Sequence, residues 1–84
     1  MGLHEFYKVE YLDEILFLDA FGKNLKRLRK ERGLTQEQLA IDLDMEISQV
    51  SRIERGIINT SIGNVNAIAK VLKIEHKELF NFSD

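Results

Sequence analysis

Residues 35–56 read TQEQLAIDLDMEISQVSRIERG, and the way this stretch divides decides the fold. Thr35 is a helix N-cap residue, and Gln38 three positions on completes a capping box in which each side chain satisfies a backbone N–H. Leu34 before the cap and Leu39 beyond it stand at the two positions of a hydrophobic staple. Gly33 has no Cβ and can take the left-handed conformation that ends a preceding helix. A helix therefore begins at Gln36. Leu39, Ala40 and Leu43 make its inward face, and Ala40 is small enough for a second helix to cross closely over it. Asp44-Met45-Glu46 form the corner, because Asp tolerates a left-handed conformation better than most residues. Met45 is expected to tuck into the angle between the two helices.

The second helix spans roughly residues 47–55. At about 100° per residue, Ile47 and Ile53 flank Val50 on one side. Ser48, Arg52 and Arg55 gather on the other, with Gln49 and Ser51 beside them. A face needed only for solubility usually carries Glu and Lys. Arg, Gln and Ser are the side chains that hydrogen-bond to base edges: Arg to guanine, Gln to adenine, Ser to either. A solvated face with no partner is the competing reading. The candidate base contacts are Ile47, Ser48, Gln49 and Arg52.

On the N-terminal side, residues 21–32 form a helix with Phe21, Leu25 and Leu28 as its buried stripe. Arg29 lies at the edge of that stripe. A partly buried Arg needs a carboxylate, and Glu54, beside Ile53 on the inner side of the later helix, is the candidate. Two ordinary surface charges are the alternative. Residues 1–20 are an N-terminal extension that reads less clearly. Leu12, Ile15, Leu16 and Phe17 recur at helical spacing, so a helix is expected from Asp13 onward. Tyr7, Val9 and Tyr11 instead alternate with polar residues, and residues 1–11 stay open. An apolar arm of this kind packs on its own domain or on a second copy.

On the C-terminal side, Ile57-Ile58 precede a polar turn, and Ser61 caps a helix with Ile62, Val65, Ile68, Ala69 and Leu72 on one stripe. Asn59, Thr60 and Ser61 place small donors and N–H groups at a helix start, a favourable spot for a phosphate. They are equally explained as turn and cap residues. A last short helix, about 75–80, is expected to bury Leu79 and Phe80, and residues 81–84 form a tail expected to fray.

The chain has 84 residues, no Cys and no Pro, which fits one domain at residues 21–80 and excludes disulfides and thiolate metal sites. There is no apolar run long enough to cross a bilayer and no secretory leader, so the expected location is the cytoplasm. The formal net charge is −2, which is low for a nucleic-acid binder, but the charges are segregated. Residues 1–20 carry Glu5, Glu10, Asp13, Glu14 and Asp19 against Lys8. Residues 23–32 carry Lys23, Lys26, Arg27, Arg29, Lys30 and Arg32 against Glu31. A field basic on one side can hold phosphate while the total is acidic. His4 and His76 stand alone, and no carboxylate pair has a positioned base beside it. Neither an enzyme nor a cofactor is indicated.

The runs FGKNLKRLRKERGLTQEQLA, ISQVSRIERG and IAKVLKIEHKELF together resemble the Cro/phage-repressor type of helix-turn-helix transcription factor. The resemblance covers about residues 21–80 and rests on Arg29, Gly33-Leu34-Thr35-Gln36, Leu39-Ala40, Ile53-Glu54-x-Gly56, and Ile68-Ala69 with Leu72. It implies an all-α, compact bundle of five helices that binds double-stranded DNA, as a homodimer on a palindromic operator. It also implies that Gln36 contacts a phosphate and that Arg29 pairs with Glu54. With Gln36, the candidate phosphate contacts are Lys23, Lys26, Ser51, Arg55, Asn59, Thr60 and Ser61. Two positions depart from the family pattern: Asp44 where Gly is usual at the corner, and Glu46 where Ser or Thr commonly caps the second helix. Both bear on affinity and operator choice rather than on the fold.

The leading expectation is a small transcriptional regulator, a repressor or autoregulator. Phage-like repressors, restriction-modification controllers and antitoxins share this size and type. The alternative is an antitoxin-like interaction module of the same fold, docking a protein through residues 1–20. Two apolar surfaces are available for a dimer: Ile57-Ile58 with Leu79, Phe80 and Phe82, and the arm with Phe6, Tyr7, Tyr11 and Phe17.

Overall fold

The computed structural model describes residues 11–82, with side chains from Asp13 to Phe82. These residues form five helices: α1 (Tyr11–Glu31), α2 (Gln36–Leu43), α3 (Ile47–Glu54), α4 (Ile62–Leu72) and α5 (His76–Leu79). The expected all-α bundle is what they build. The open reading of residues 1–10, and the side chains of Phe6, Tyr7 and Tyr11, lie outside the described residues.

α1 runs unbroken from Tyr11 through the basic segment, about 31 Å at the usual helical rise, and takes in the stretch where a helix was expected from Asp13. Asp13 and Glu14 stand in its first turn and Arg29 and Lys30 in its last, the arrangement that complements the helix dipole. Only its later part is buried. Phe21, Leu25 and Leu28 enter the core, whereas Ile15, Leu16 and Phe17 remain 40–46 % exposed.

The caps around α2 take the form their sequence dictates. Thr35 Oγ1 accepts from the Gln38 N–H at 3.0 Å, and the Gln38 side chain accepts from the Thr35 N–H at 2.8 Å. Gly33 and Asp44 both adopt positive φ, at 73° and 54°, closing α1 and turning the chain towards α3. Met45 is half-buried against the core. The core itself joins Leu39 and Ala40 of α2, Val50 and Ile53 of α3, Ile68, Ala69 and Leu72 of α4, and Leu79 of α5 to the α1 stripe. Burying side chains of this size stabilises by roughly 1.5–3 kcal/mol each.

Three expectations at the C-terminal side are corrected. Ile62 is 88 % exposed, Val65 one turn later is half-buried, and full burial on this stripe begins only at Ile68. Phe80 is 44 % exposed while Leu79 is fully buried. Phe80 is the C-cap just beyond α5, and its ring lies over Phe21 at 5.3 Å at the edge of the core rather than inside it. Within the tail, Phe82 is half-buried against the core, its ring centroid 5.6 Å from that of Phe17.

Two long-range contacts fix α1 against the rest. Gly22 packs so closely on α3 that a Cβ there would lie 2.4 Å from the Glu54 carbonyl oxygen and 2.5 Å from that of Ile53. Asn24, buried at 6 % exposure, donates to the carbonyls of Glu78 and Leu79, each at 2.9 Å. Those carbonyls end α5, where helix carbonyls run short of partners; that of Glu78 also accepts from the Asn81 N–H at 3.4 Å, and Asn24 caps both across the fold. No described helix is long and apolar enough to cross a membrane.

Candidate nucleic-acid interface

α3 is amphipathic in the most literal sense. Val50, Ile53 and Glu54 are buried, and Ile47, Ser48, Gln49 and Arg52 are exposed. Ser48, Gln49 and Arg52 therefore share the outer side of one helix, and Ile47, on the Val50 side by the helical period, is 48 % exposed at its leading end. The inner side is held by more than apolar packing. Arg29 Nε donates to Glu54 Oε2 at 2.6 Å, and a second guanidinium nitrogen donates to Oε1 at 2.9 Å. A third contact runs from Arg29 to the Leu34 carbonyl at 2.7 Å. The two side chains are 6 % and 2 % exposed. The planar fork of guanidinium matches a carboxylate at both oxygens, so this pair fixes the end of α3 in rotation as well as in position.

Gln36 belongs to the same network, its amide donating to Glu54 Oε1 at 2.9 Å. An amide nitrogen carries two N–H donors, so one remains for a further acceptor at the N-terminus of α2. Ser51 and Arg55 are also coupled, Arg55 Nε approaching Ser51 Oγ at 3.2 Å and the Ser51 carbonyl at 3.3 Å. This lays the Arg55 side chain back along α3. The Lys23 ammonium pairs with Asp19 at 2.9 Å on the surface, and Lys26 is exposed one turn further on. Because Gly22 rests on the α3 carbonyls, Lys23 stands beside the C-terminal end of that helix.

Asn59, Thr60 and Ser61 lie at the start of α4. Ser61 Oγ accepts from the Asn64 N–H at 3.0 Å, and Thr60 Oγ1 accepts from the Asn64 side chain at 2.9 Å. Their hydroxyl protons are donors still available to an anion. The basic segment is less available than its sequence suggests. Arg29 is buried, and Arg27 binds Glu31 and Asn24, both at 2.7 Å. The surface pairs are weak enough to yield to a phosphate; the buried one is not.

Sequence reasoning overlooked Gly22 and Asn24. A signal existed for each: a lone Gly within a helical pattern usually marks a close approach, and Asn24 sits on the stripe between Phe21 and Leu28. Neither signal names the partner.

A short helix locked inwardly by an ion pair, with hydrogen-bonding side chains turned outward after a tight corner, defines a DNA-binding helix-turn-helix module. The family model described as Helix-turn-helix matches residues 25–79. The chain belongs to that family, in its Cro/phage-repressor type of transcriptional regulator. Among its relatives, the control protein C.MunI of a Mycoplasma species is 42 % identical over 62 residues, 73 % of this chain and 84 % of that protein. The solved restriction-modification controller protein C.AhdI from Aeromonas hydrophila superposes with a TM-score of 0.78 and 41 % identity, covering 81 % of this chain and 99 % of that one. The biofilm regulator SinR, solved in complex with DNA, gives a TM-score of 0.68 at 31 % identity, over 73 % and 98 % of the two chains.

Proposed function

We propose that this chain regulates transcription by inserting α3 into the major groove of a palindromic operator as a homodimer. Ser48, Gln49 and Arg52 read base edges, with Ile47 against a thymine methyl. Lys23, Lys26, Gln36, Ser51, Arg55, Asn59, Thr60 and Ser61 meet the flanking phosphates. The observation that carries this reading is the division of α3, whose buried side is fixed by Arg29 and Glu54 while its outer side offers three hydrogen-bonding side chains, the donor Arg52 and the donor–acceptors Ser48 and Gln49. A surface evolved only for solubility gains nothing from so firm an anchor. The regulator acts by binding alone, without catalysis or cofactor, in the cytoplasm beside its DNA.

Within that class, the reading extends to a controller of the restriction-modification type. Its support is the likeness to C.MunI and C.AhdI, which runs through most of the length of both. Selection of bound duplexes from a random library, followed by sizing of the complex, tests the proposal. The expected product is an inverted repeat bound by two chains. Failure to enrich any sequence over random duplex, at low as well as moderate salt, would refute it.

A further inference from the structure

Glu46 opens the DNA-reading helix, but its side chain makes no bond that holds it. Thr35 and Ser61 begin α2 and α4 in the ordinary way, each side-chain oxygen accepting from a backbone N–H three residues on, at 3.0 Å. Glu46 stands at the same position of α3 with the same extended backbone, φ −70° and ψ 145°, yet takes no such bond. Its carboxylate is exposed, and none of the ion pairs among the described residues includes it. It borders one open hollow at the corner together with Gln49, which lies about one turn further along the same side of the helix. A free charge thus leads α3, next to a side chain placed against the bases. We infer that Glu46 also reads the operator, its carboxylate accepting a hydrogen bond from the N4 amino group of one cytosine in each half-site.

The inference deepens the major-groove reading proposed above and rests on it. A carboxylate brought to a duplex meets phosphates of its own sign, so a free one at the leading end of α3 weakens binding unless a donor answers it. Side chains at that end are the ones that reach base edges when such a helix enters the groove. An ionised carboxylate only accepts, and the base edges of the major groove divide sharply on that ground. Guanine shows two acceptors, N7 and O6, and thymine shows the O4 acceptor beside its methyl group. Adenine offers its N6 amino group but sets the N7 acceptor next to it, an edge that repels a carboxylate and suits an amide such as that of Gln49. Cytosine alone presents an amino donor with no acceptor on the same base. The Ser or Thr that commonly caps a helix would satisfy a backbone N–H. Glu46 forgoes that bond, and the contact with cytosine offsets its loss in the complex.

Selection from a random duplex library with the native chain should fix a cytosine at one position of each half-site. The same selection with Glu46→Ala should relax that position and leave the others as they were. Replacing the fixed base by N4-methylcytosine puts a methyl group where the major-groove donor stood, while the pair with guanine remains. The native chain should bind this duplex about tenfold more weakly, the loss expected for one hydrogen bond to a charged group. Glu46→Ala should bind the methylated and unmethylated duplexes alike. Glu46→Gln, which keeps the length of the side chain and adds a donor for N7, should admit adenine at the same position. Each comparison sets two duplexes against one protein, so a change in a variant's stability does not enter it. The same fixed cytosine selected by Glu46→Ala, or an equal response of native and variant chains to N4-methylation, overturns the contact and leaves the operator-binding reading intact. Tighter binding of Glu46→Ala to every duplex alike makes Glu46 a repelling charge and nothing more, which overturns the contact as well. A native chain that enriches no sequence refutes the proposed function itself, and the contact falls with it.

Discussion

Arg29 holds a full charge where water hardly reaches, and only Glu54 and the Leu34 carbonyl make that tolerable. Removing one partner of a buried pair strands the other, which costs far more than the pair contributes net. Glu54→Ala is therefore expected to lower stability by about 3–5 kcal/mol, and the Arg29→Ala/Glu54→Ala double variant by less than the sum of the singles. Chemical denaturation of all three variants checks this; additive losses would mean that the two residues act independently. Arg52, exposed on the same helix, should behave in the opposite way. Arg52→Ala leaves the fold alone and weakens specific binding by about 1–3 kcal/mol, relaxing preference at one base position. Binding measured against a panel of single-base operator variants separates that outcome from a uniform loss, which would place Arg52 on the backbone instead.

At the scale of elements, the decisive contact is between α1 and the end of α3. Gly22 permits the two backbones to touch, and a methyl group there would meet carbonyl oxygens at 2.4 and 2.5 Å. Gly22→Ala must push the helices apart and should cost about 1–3 kcal/mol, as overpacking does. Because the shift tilts α3, specific DNA affinity should fall further than thermal stability predicts. An unaltered melting curve would show that α1 yields freely. Neutralising Lys26 on the same helix should weaken binding to all duplexes alike and reduce the salt slope by about one unit; an unchanged slope means that Lys26 is only solvated. These elements also show what the sequence made legible. The corner between α2 and α3 could be read because Gly33, Thr35, Gln38 and Asp44 act on their own neighbours, within a few residues. The inner and outer sides of α3 followed from its period. Gly22 and Asn24 were missed because their partners lie 31 or more residues away, and spacing alone does not identify them. Ile62 and Phe80 were misjudged for a related reason: the period says which residues share a side, not where the neighbouring helices end.

For the whole molecule, the question is how so small a surface finds one site among many. On the proposed reading a single α3 offers three or four base-contacting side chains, and each mismatch costs only about 1–3 kcal/mol, too little for one copy to stand out against bulk DNA. Two copies held rigidly double the reading and fix the distance between half-sites, which in helix-turn-helix dimers is about one turn of DNA. Only the loop of residues 55–61 separates α3 from α4, so the proposed homodimer, if joined through the α4 side, would hold its two α3 helices at a fixed distance. Spacing should then matter as much as sequence. Inserting about five base pairs between half-sites turns one of them by half a turn, to the far side of the duplex. Affinity should fall to that of an isolated half-site, with one chain bound where two were before. Gel-shift titration across a series of spacers measures this directly. If affinity is indifferent to spacing, the two chains bind as independent monomers, and specificity must come from the bases under each α3 alone.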